Sequence, residues 1–370
     1  MTIEINITEK CNLDCSYCHE GREKSKKKNS MTKDTALKAL QYIRKFIDYK
    51  NINEFDINLN GGEPFLEYEI FKYIVENSKK MFVDKDYVIS CSTNGTLLND
   101  EIIDFININN ISMQISIDGN EKEHNLNRKY INGQGSYNDI INNLNKLLKT
   151  ADNKKISTSY IITSDTVNNI YNNFLNLIQL GIKDLNLGFC FDSLWTEETL
   201  EIANNEFKKV IEKYKELILG NQGHNVKVIN GYLKQTCINS PYYTENCGLC
   251  EDELAILPSG DILPCGTFIT TGYENYIIGN INKDDFDFLY AKKKFAVEKI
   301  EYQECLECKM IERCRPVCYA NNFRISKDIY KIPYQVCYIN QLLVNNCDVL
   351  AKELLDNHKD IATKYIKLNN

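Results

Sequence analysis

The first half of the chain alternates six short β-type runs with longer segments of helical periodicity. The six runs cover residues 3–7, 54–60, 86–92, 111–117, 155–162 and 183–189. The segments between them are amphipathic, as in 32–50, which opens with Thr32 as a possible cap, and in 136–150. Six such repeats predict a parallel sheet covered by helices, arranged as a barrel or as a doubly wound sheet. Functional residues of both folds collect where the strands end.

The second half of the chain changes character twice. Residues 196–236 have a helical pattern, and after Cys237 the composition shifts to Cys, Gly and Pro with little periodicity. Such a segment is typical of structure that is ordered by bound metal. We therefore predict four parts, namely a core at 1–195, a helical bridge at 196–236, a cysteine-rich domain at 237–345 and a C-terminal helix at 346–370.

Charge and composition argue against several partner classes. The 370-residue chain has a net charge of −7 and a pI of about 5.4, which disfavours a nucleic-acid partner held by bulk electrostatics. No apolar run has the length of a membrane span and no signal-peptide pattern follows Met1, so we expect a cytoplasmic protein without a membrane partner. Thiols stay reduced in the cytoplasm. We therefore predict that the 15 cysteines serve as metal ligands in preference to forming disulfides.

Three cysteines, Cys11, Cys15 and Cys18, form C-x3-C-x2-C in the loop after the first predicted strand. A closed zinc site needs four protein ligands, and a cubane iron–sulfur cluster has four irons that each need one. Three thiols leave one metal position open. An open position indicates that something other than protein binds there.

Small polar motifs follow the next three strands. They are "NGGEP" at 60–64, "STNGT" at 92–96 and "SIDG" at 116–119. Glycines let the backbone approach a ligand closely, and Glu63 can accept a hydrogen bond from an amine. A single motif of this kind is compatible with a plain turn. Their repetition at successive strand ends, beside a three-cysteine loop, favours a binding site.

The later cysteines form a second pattern. Eight of them lie between Cys247 and Cys337, enough to ligate two four-iron clusters, although a single C-x2-C pair also fits a zinc ribbon. A C-x9-G-x4-C unit is followed by C-x2-C-x5-C-x3-C and a late cysteine. Cys247 precedes the first unit, which contains Cys250 and Cys265. The second unit contains Cys305, Cys308, Cys314 and Cys318, and the late cysteine is Cys337.

The three-cysteine loop followed by "GGEP" resembles the radical S-adenosylmethionine superfamily over roughly residues 1–195. The resemblance implies that Cys11, Cys15 and Cys18 hold a [4Fe–4S] cluster whose open iron chelates S-adenosylmethionine. It places Tyr17 near the adenine of S-adenosylmethionine. It also pairs Arg128 with the carboxylate of that cofactor, and the alternative for Arg128 is an exposed arginine in a surface salt bridge. The implied cofactor-binding set is Tyr17, Asn60, Gly61, Gly62, Glu63, Ser92, Asn94, Ser116, Asp118, Arg128 and Leu187. Within this set the "GGE" residues receive the methionine ammonium, and Ser116 and Asp118 contact methionine or ribose.

The later cysteines resemble the SPASM extension of peptide-modifying members of that superfamily. The resemblance implies a partial (β/α)6 barrel, a helical bridge and a SPASM domain with two auxiliary [4Fe–4S] clusters. Its interleaved ligands would be Cys247, Cys250, Cys265 and Cys318 for one cluster, and Cys305, Cys308, Cys314 and Cys337 for the other. Cys237 could replace Cys247, or that cluster could keep an open iron.

The implied activity is reductive cleavage of S-adenosylmethionine to a 5′-deoxyadenosyl radical, which abstracts hydrogen from a residue of a ribosomally made peptide. A thioether cross-link is the expected product, and the partners are a precursor peptide and a reductant such as flavodoxin or ferredoxin. An anaerobic sulfatase maturase is the alternative. That family places an Asp after the second cysteine of C-x9-G-x4-C, where this chain has Gly266, and the departure removes the expected proton acceptor. The alternative from another class is a non-catalytic iron–sulfur electron carrier. Such a carrier needs every cluster fully ligated by protein, so the open three-cysteine loop followed by "GGEP" argues against it.

Cys190 is the candidate catalytic thiol for a further alternative, peptide epimerisation. Strand alternation puts Asn186, Gly188 and Cys190 on one face of the sixth strand, toward the barrel interior. An epimerase needs a thiol that returns a hydrogen atom to the substrate. In a thioether-forming enzyme Cys190 would only fill space, as expected of most buried cysteines.

Overall fold

A computed structural model describes residues 1–18, 28–152, 155–238, 249, 253–269, 272–283, 303–311, 313–314 and 318–367. Within them the strands are β1 (Thr2–Asn6), β2 (Glu54–Asn60), β3 (Asp86–Thr93), β4 (Ser112–Ser116), β5 (Ile156–Ile162), β6 (Asp184–Phe189), β7 (Asn225–Val226), β8 (Glu253–Ile256), β9 (Asp261–Leu263) and β10 (Gly279–Asn280). The helices are α1 (Lys33–Tyr49), α2 (Tyr68–Met81), α3 (Asp100–Ile108), α4 (Glu121–Asn127), α5 (Tyr137–Thr150), α6 (Ile170–Gln179), α7 (Glu197–Leu219), α8 (Lys227–Ile238), α9 (Gln303–Leu306), α10 (Tyr319–Ser326), α11 (Tyr334–Asn357) and α12 (Lys359–Lys367).

The six predicted strands are confirmed as β1 to β6, each within about one residue of its expected bounds. The cap predicted for α1 is also confirmed, because the Thr32 side chain accepts a hydrogen bond from the backbone N–H of Thr35 at 3.1 Å. The chain thus has the expected mixed α/β fold with a parallel sheet.

Contacts divide the chain into two compact units. The first contains Met1–Ser116, Asn125–Ile156 and Gly248–Ala296. Its strands follow the order β10-β9-β8-β1-β2-β3-β4, in which the pairs from β8 to β4 are parallel. Strand β8 comes from the cysteine-rich part of the sequence and pairs with β1. It satisfies the backbone groups that β1 would otherwise leave at an open edge.

The glycine of C-x9-G-x4-C forms the turn between β8 and β9. Gly260 has φ +87°, a left-handed conformation that other residues adopt at a cost, and its N–H donates to the carbonyl oxygen of Leu257 at 2.9 Å. The spacing of this cysteine motif therefore reflects a hairpin.

One face of the first unit's sheet is apolar and the other is polar. Ile3, Ile5, Ile57 and Leu59 have no solvent exposure, whereas the residues between them are polar. The strand register places four polar residues in one row across the second face, namely Glu4, Asn58, Ser90 and Ser112. This row defines the polar inner face.

The second unit contains Ile117–His124, Ser157–Cys247 and Val297–Asn370. Its strands β5, β6 and β7 are parallel neighbours in that order. Helix α7 starts with a capping box in which Thr196 and Thr199 exchange side-chain and backbone hydrogen bonds. Helices α8 and α11 pack together, and Arg313 binds both Thr236 on α8 and Asp348 on α11.

No helix in the described part of the chain is both long enough and apolar enough to cross a membrane.

Candidate active site

The loop after β1 carries Cys11, Cys15 and Cys18, named here the N-terminal triad. The thiols are half-buried. Backbone hydrogen bonds hold this loop against the segment that follows α4, because Asp14 N–H donates to Lys129 O at 2.7 Å. Ser16 N–H also donates to the carbonyl oxygen of Asn127, at 2.9 Å.

Two N–H groups point at the sulfur of Cys11. The Leu13 backbone N–H lies 3.4 Å from Cys11 Sγ, and the Asn94 side-chain amide lies 3.8 Å from it. Burial raises the pKa of the Cys11 thiol to about 11, and the negative charges of Glu63 and Cys18 add to the increase. A bound metal reverses this preference, since a coordinating thiol loses its proton.

Two glycines allow the loop after β2 to lie directly on the cysteine loop. A Cβ on Gly61 would lie 2.5 Å from Thr8 O, and one on Gly62 would lie 2.3 Å from Lys10 O. Gly61 also has φ +140°. Their neighbours are joined by hydrogen bonds from Gly62 N to Thr8 O at 2.7 Å and from Glu63 N to Lys10 O at 2.9 Å. No larger residue fits at either position without moving this backbone.

Glu63 joins the ends of β2 and β3. Its side chain has no solvent exposure and accepts hydrogen bonds from Thr93 Oγ1 at 2.8 Å, Asn94 N at 2.8 Å and Phe65 N at 3.1 Å. Burial raises the pKa of Glu63 to about 7, although these three donors oppose the increase. The carboxylate thus fixes the positions of two strand ends beside the triad.

Asn94 links Glu63 to the triad. Its backbone N–H binds Glu63, while its side-chain Nδ2 donates to Asn12 Oδ1 at 2.9 Å in addition to Cys11 Sγ. Its Oδ1 accepts from the backbone N–H of Thr96 at 2.9 Å. Sequence reasoning did not select Asn12 or Thr93, because their roles depend on contacts between different strand ends.

Arg128 and Tyr17 form a pair beside the same loop. The Arg128 side chain is only 6% exposed, and its guanidinium carbon lies 5.2 Å from the centroid of the Tyr17 ring. The alternative of an exposed surface arginine is therefore wrong. Ser136 holds the backbone here by donating its hydroxyl to Arg128 O at 2.8 Å.

Three other predicted cofactor residues lie at strand ends of the first unit. The carbonyl oxygen of Asn60 accepts from Ile7 N at 2.8 Å, and Ser92 Oγ lies 3.4 Å from the side-chain oxygen of Gln114. Ser116 is half-buried at the end of β4. These residues share the polar side of the sheet.

Two predicted cofactor residues belong to the second unit. Asp118 is buried, and its carboxylate accepts a hydrogen bond from Ile161 N at 3.0 Å. Leu187 is 4% exposed and lies on the face of β6 opposite Asn186 and Gly188.

The four cysteines predicted for the second auxiliary cluster interact electrostatically. Burial raises the pKa of the Cys314 thiol to about 12, and the charges of Cys337, Cys305 and Cys308 add to the increase. Gln341 Nε2 donates to Cys337 Sγ at 3.2 Å and the backbone N–H of Met310 donates to Cys308 Sγ at 3.4 Å. Among the residues that the structure describes, no three His, Cys, Asp or Glu side chains surround a single metal-ion position. A cubane differs from such a site, because its thiolates bind separate irons.

The ligands predicted for the first auxiliary cluster are only partly described. Cys247 and Cys250 lie outside the described residues. Cys265 is buried just after β9, and Cys318 is the N-terminal cap residue of α10. Cys237, the possible replacement, lies on α8, where burial raises the pKa of its thiol and the positive charge of Arg313 opposes the increase.

Cys190 belongs to a buried polar cluster at the end of β6. Its Sγ donates to Asp192 Oδ1 at 3.1 Å, and the same oxygen accepts from Arg324 Nη2 on α10 at 2.7 Å. Trp195 Nε1 donates to the backbone carbonyl of Cys190 at 2.8 Å. This cluster could not be predicted from local sequence patterns, because Arg324 is distant from Cys190 along the chain.

These features together define an α/β protein with an open three-thiolate site at the end of a parallel sheet. Residues 5–188 match the Radical SAM superfamily, and the chain belongs to that superfamily of enzymes. The donor set fits an iron–sulfur cluster with one open iron, because one loop carries three thiols, two N–H groups point at the sulfur of Cys11, and the neighbouring loop admits only glycine at positions 61 and 62.

The chain is similar to curated members of that superfamily. It is 25% identical to the radical SAM cyclopropyl synthase TigE of Paramaledivibacter caminithermalis, over 89% of this chain and 72% of that protein. It is 22% identical to a cysteine-type anaerobic sulfatase-maturating enzyme of Clostridium perfringens, over 83% of this chain and 85% of that protein. The solved structure of native anSMEcpe with bound AdoMet and Cp18Cys peptide has a TM-score of 0.78 and 19% identity, covering 96% of this chain and 99% of the other. The last comparison establishes a shared fold.

Proposed function

We propose that this radical SAM enzyme oxidatively modifies a ribosomally made peptide, with a thioether cross-link as the product. The observation that carries the proposal is the N-terminal triad, held against the glycines of the loop after β2. When bound, the [4Fe–4S] cluster and S-adenosylmethionine supply a 5′-deoxyadenosyl radical that abstracts a hydrogen atom from the peptide.

The chain's own residues position this cofactor. The three thiols of the triad would ligate the cluster, and the backbone at Gly61 and Gly62 lies directly on the loop that carries them. The backbone of Gly61, Gly62 and Glu63 receives the methionine ammonium while the buried Glu63 carboxylate holds this loop in place, and Arg128 on Tyr17 contributes positive charge for the methionine carboxylate. The other cofactor contacts are Asn60, Ser92, Asn94, Ser116, Asp118 and Leu187.

The cysteine-rich domain at 237–345 would hold two auxiliary [4Fe–4S] clusters, and such clusters would supply an electron acceptor for an oxidative product. Support comes from the neighbouring thiols around Cys314. The other cluster takes Cys247, Cys250, Cys265 and Cys318. The partners are a precursor peptide and a reductant of the flavodoxin or ferredoxin type, and the peptide is supported by the fold shared with a peptide-bound relative.

Two observations bear on the product. The Cys190 thiol donates to Asp192, which is already paired with Arg324, and this arrangement favours a structural thiol over the hydrogen donor of an epimerase. A sulfatase maturase is the second candidate, because the similarity to a sulfatase-maturating enzyme covers most of both chains.

Anaerobic reconstitution with S-adenosylmethionine and a reductant tests the proposal. The substrates are a cysteine-containing precursor peptide encoded beside the gene and, separately, a sulfatase-derived cysteine peptide. We expect 5′-deoxyadenosine and a precursor product that is lighter by two hydrogen atoms and has lost a free thiol. An aldehyde on the sulfatase peptide would instead favour the maturase, and a protein that never forms 5′-deoxyadenosine would refute both.

A further inference from the structure

An oxidation of this kind releases a proton from the substrate thiol, and the residues discussed so far include no group that accepts it. When the substrate carbon loses a hydrogen atom to the 5′-deoxyadenosyl radical, closing a carbon–sulfur bond also requires the thiol to lose its proton. One electron must then leave to an iron–sulfur acceptor. The chain therefore needs a proton acceptor near the substrate, and Gly266 cannot provide one.

The structure places a carboxylate directly beside Gly266. A Cβ built on Gly266 would lie 2.1 Å from Glu4 Oε2 and 2.5 Å from both Glu4 Cδ and Oε1. All three atoms of the carboxylate group therefore lie against the glycine, and any larger residue at position 266 would displace them. Glycine at 266 and glutamate at 4 are thus sterically linked.

Glu4 also lies on the appropriate side of the sheet. It belongs to the row of the polar inner face, opposite Asn58 on the neighbouring strand, and its side chain is half-buried. Strand β1 leads directly into the cysteine triad. Gly266, which contacts Glu4, directly follows Cys265 in the sequence, and Cys265 is a predicted ligand of the first auxiliary cluster.

Asp56 is another carboxylate on this face, and its position in the sheet makes it a poorer candidate. It lies opposite Thr2, one row closer to the strand starts and thus farther from the triad.

We propose that Glu4 is the catalytic proton acceptor of this enzyme, and the inference rests on the proposed function. The substrate carbon gives its hydrogen atom to the radical, forming 5′-deoxyadenosine. The substrate thiol gives its proton to a Glu4 carboxylate oxygen, and one electron passes to an iron–sulfur acceptor. In a thioether this step forms a new carbon–sulfur single bond, and in the thioaldehyde that precedes formylglycine it converts the existing carbon–sulfur single bond to a double bond. The same carboxylate therefore serves either product.

The activity test compares Glu4→Gln with Asp56→Asn in the full reconstituted enzyme, using the precursor and sulfatase peptides named above. General-base catalysis contributes roughly 10²- to 10⁴-fold, so Glu4→Gln should lower product formation by that factor. Its 5′-deoxyadenosine formation should stay within about threefold of wild type, because radical generation precedes the proton transfer. Asp56→Asn should retain both. Normal product formation in Glu4→Gln, or an equal loss of both compounds, would overturn the proposal.

A carboxylate swap provides a second variant. Glu4→Ala opens the space beside position 266, and adding Gly266→Asp returns a carboxylate there. We expect the double variant to form at least about tenfold more product than Glu4→Ala alone, given the size of the base contribution. No recovery, with 5′-deoxyadenosine still formed, would count against a base at this location.

Thermal unfolding of the metal-free protein tests the contact without any turnover. Gly266→Ala should lower the unfolding midpoint by about 2–10 °C in the wild-type background, because its Cβ collides with Glu4. In a Glu4→Ala background the same substitution should cost almost nothing. Equal effects in both backgrounds would overturn the Glu4–Gly266 contact, whereas a wild-type enzyme that modifies neither peptide while retaining the coupling would instead contradict the proposed function.

Discussion

Gly62→Ala should damage the active site far more than it damages the fold. The new Cβ would lie 2.3 Å from Lys10 O, 2.6 Å from Lys10 C and 3.1 Å from Cys11 N. All three are backbone atoms, and Lys10 O already accepts a hydrogen bond from Glu63 N at 2.9 Å. Relieving the contact requires the loop to move by about 1 Å, and overpacking of this kind costs about 1–3 kcal/mol.

The displacement would be passed to the triad, because Cys11 is the next residue after Lys10. A misplacement of about 1 Å can lower a reaction rate by roughly 10²-fold. We therefore expect Gly62→Ala to lose several degrees of thermal stability in the metal-free protein and about 10²-fold in 5′-deoxyadenosine formation after reconstitution. Differential scanning fluorimetry and chromatography of the nucleoside measure the two effects.

Gly188→Ala is the matched control for stability. A Cβ at that position would meet only Ile161 Cδ1, at an ordinary 3.5 Å, so the unfolding midpoint should be unchanged or slightly raised. A Gly62→Ala enzyme with wild-type stability and wild-type nucleoside formation would refute the steric reasoning.

Three further outcomes are expected. Reconstituted protein should contain about twelve iron and twelve sulfide, and replacing the whole N-terminal triad by Ala should remove roughly a third of the iron and all S-adenosylmethionine cleavage; nucleoside formation by that variant would contradict the assignment. Cys190→Ala loses a buried hydrogen bond to Asp192 and leaves a small cavity, so it should lower the free energy of unfolding by about 1–2 kcal/mol. The variant should still form a product lighter by two hydrogen atoms. Loss of that product with continued nucleoside formation would favour the epimerase. Hydrogen bonds from Arg44 lower the pKa of Asp84 to about 2, below its ordinary 3.8. The Arg44–Asp84 pair therefore stabilises the fold fully above pH 3.8, and this stabilisation is lost as pH falls through the folded pKa. Arg44→Gln should therefore show a smaller fall in unfolding midpoint between pH 4 and pH 2, and an unchanged acid profile would disprove this coupling.

The sequence alone determined the order of the β/α repeats and the site around Cys11. Periodicity of two in strands and of about 3.6 in helices is a local property, so it predicted β1 to β6 closely. Cysteine spacing and adjacent glycines are local as well. They placed the triad and the loop at Gly61 at neighbouring strand ends, because parallel strands end on the same edge.

Only the tertiary structure decided which distant side chains meet. Glu4 and Gly266 are 262 residues apart in the sequence, and their contact depends on β8 pairing with β1 in one particular register. The same holds for Cys190 and Arg324, which share Asp192. Hydrophobic periodicity says which face of a strand is buried, but it contains no information about which strand or helix lies opposite.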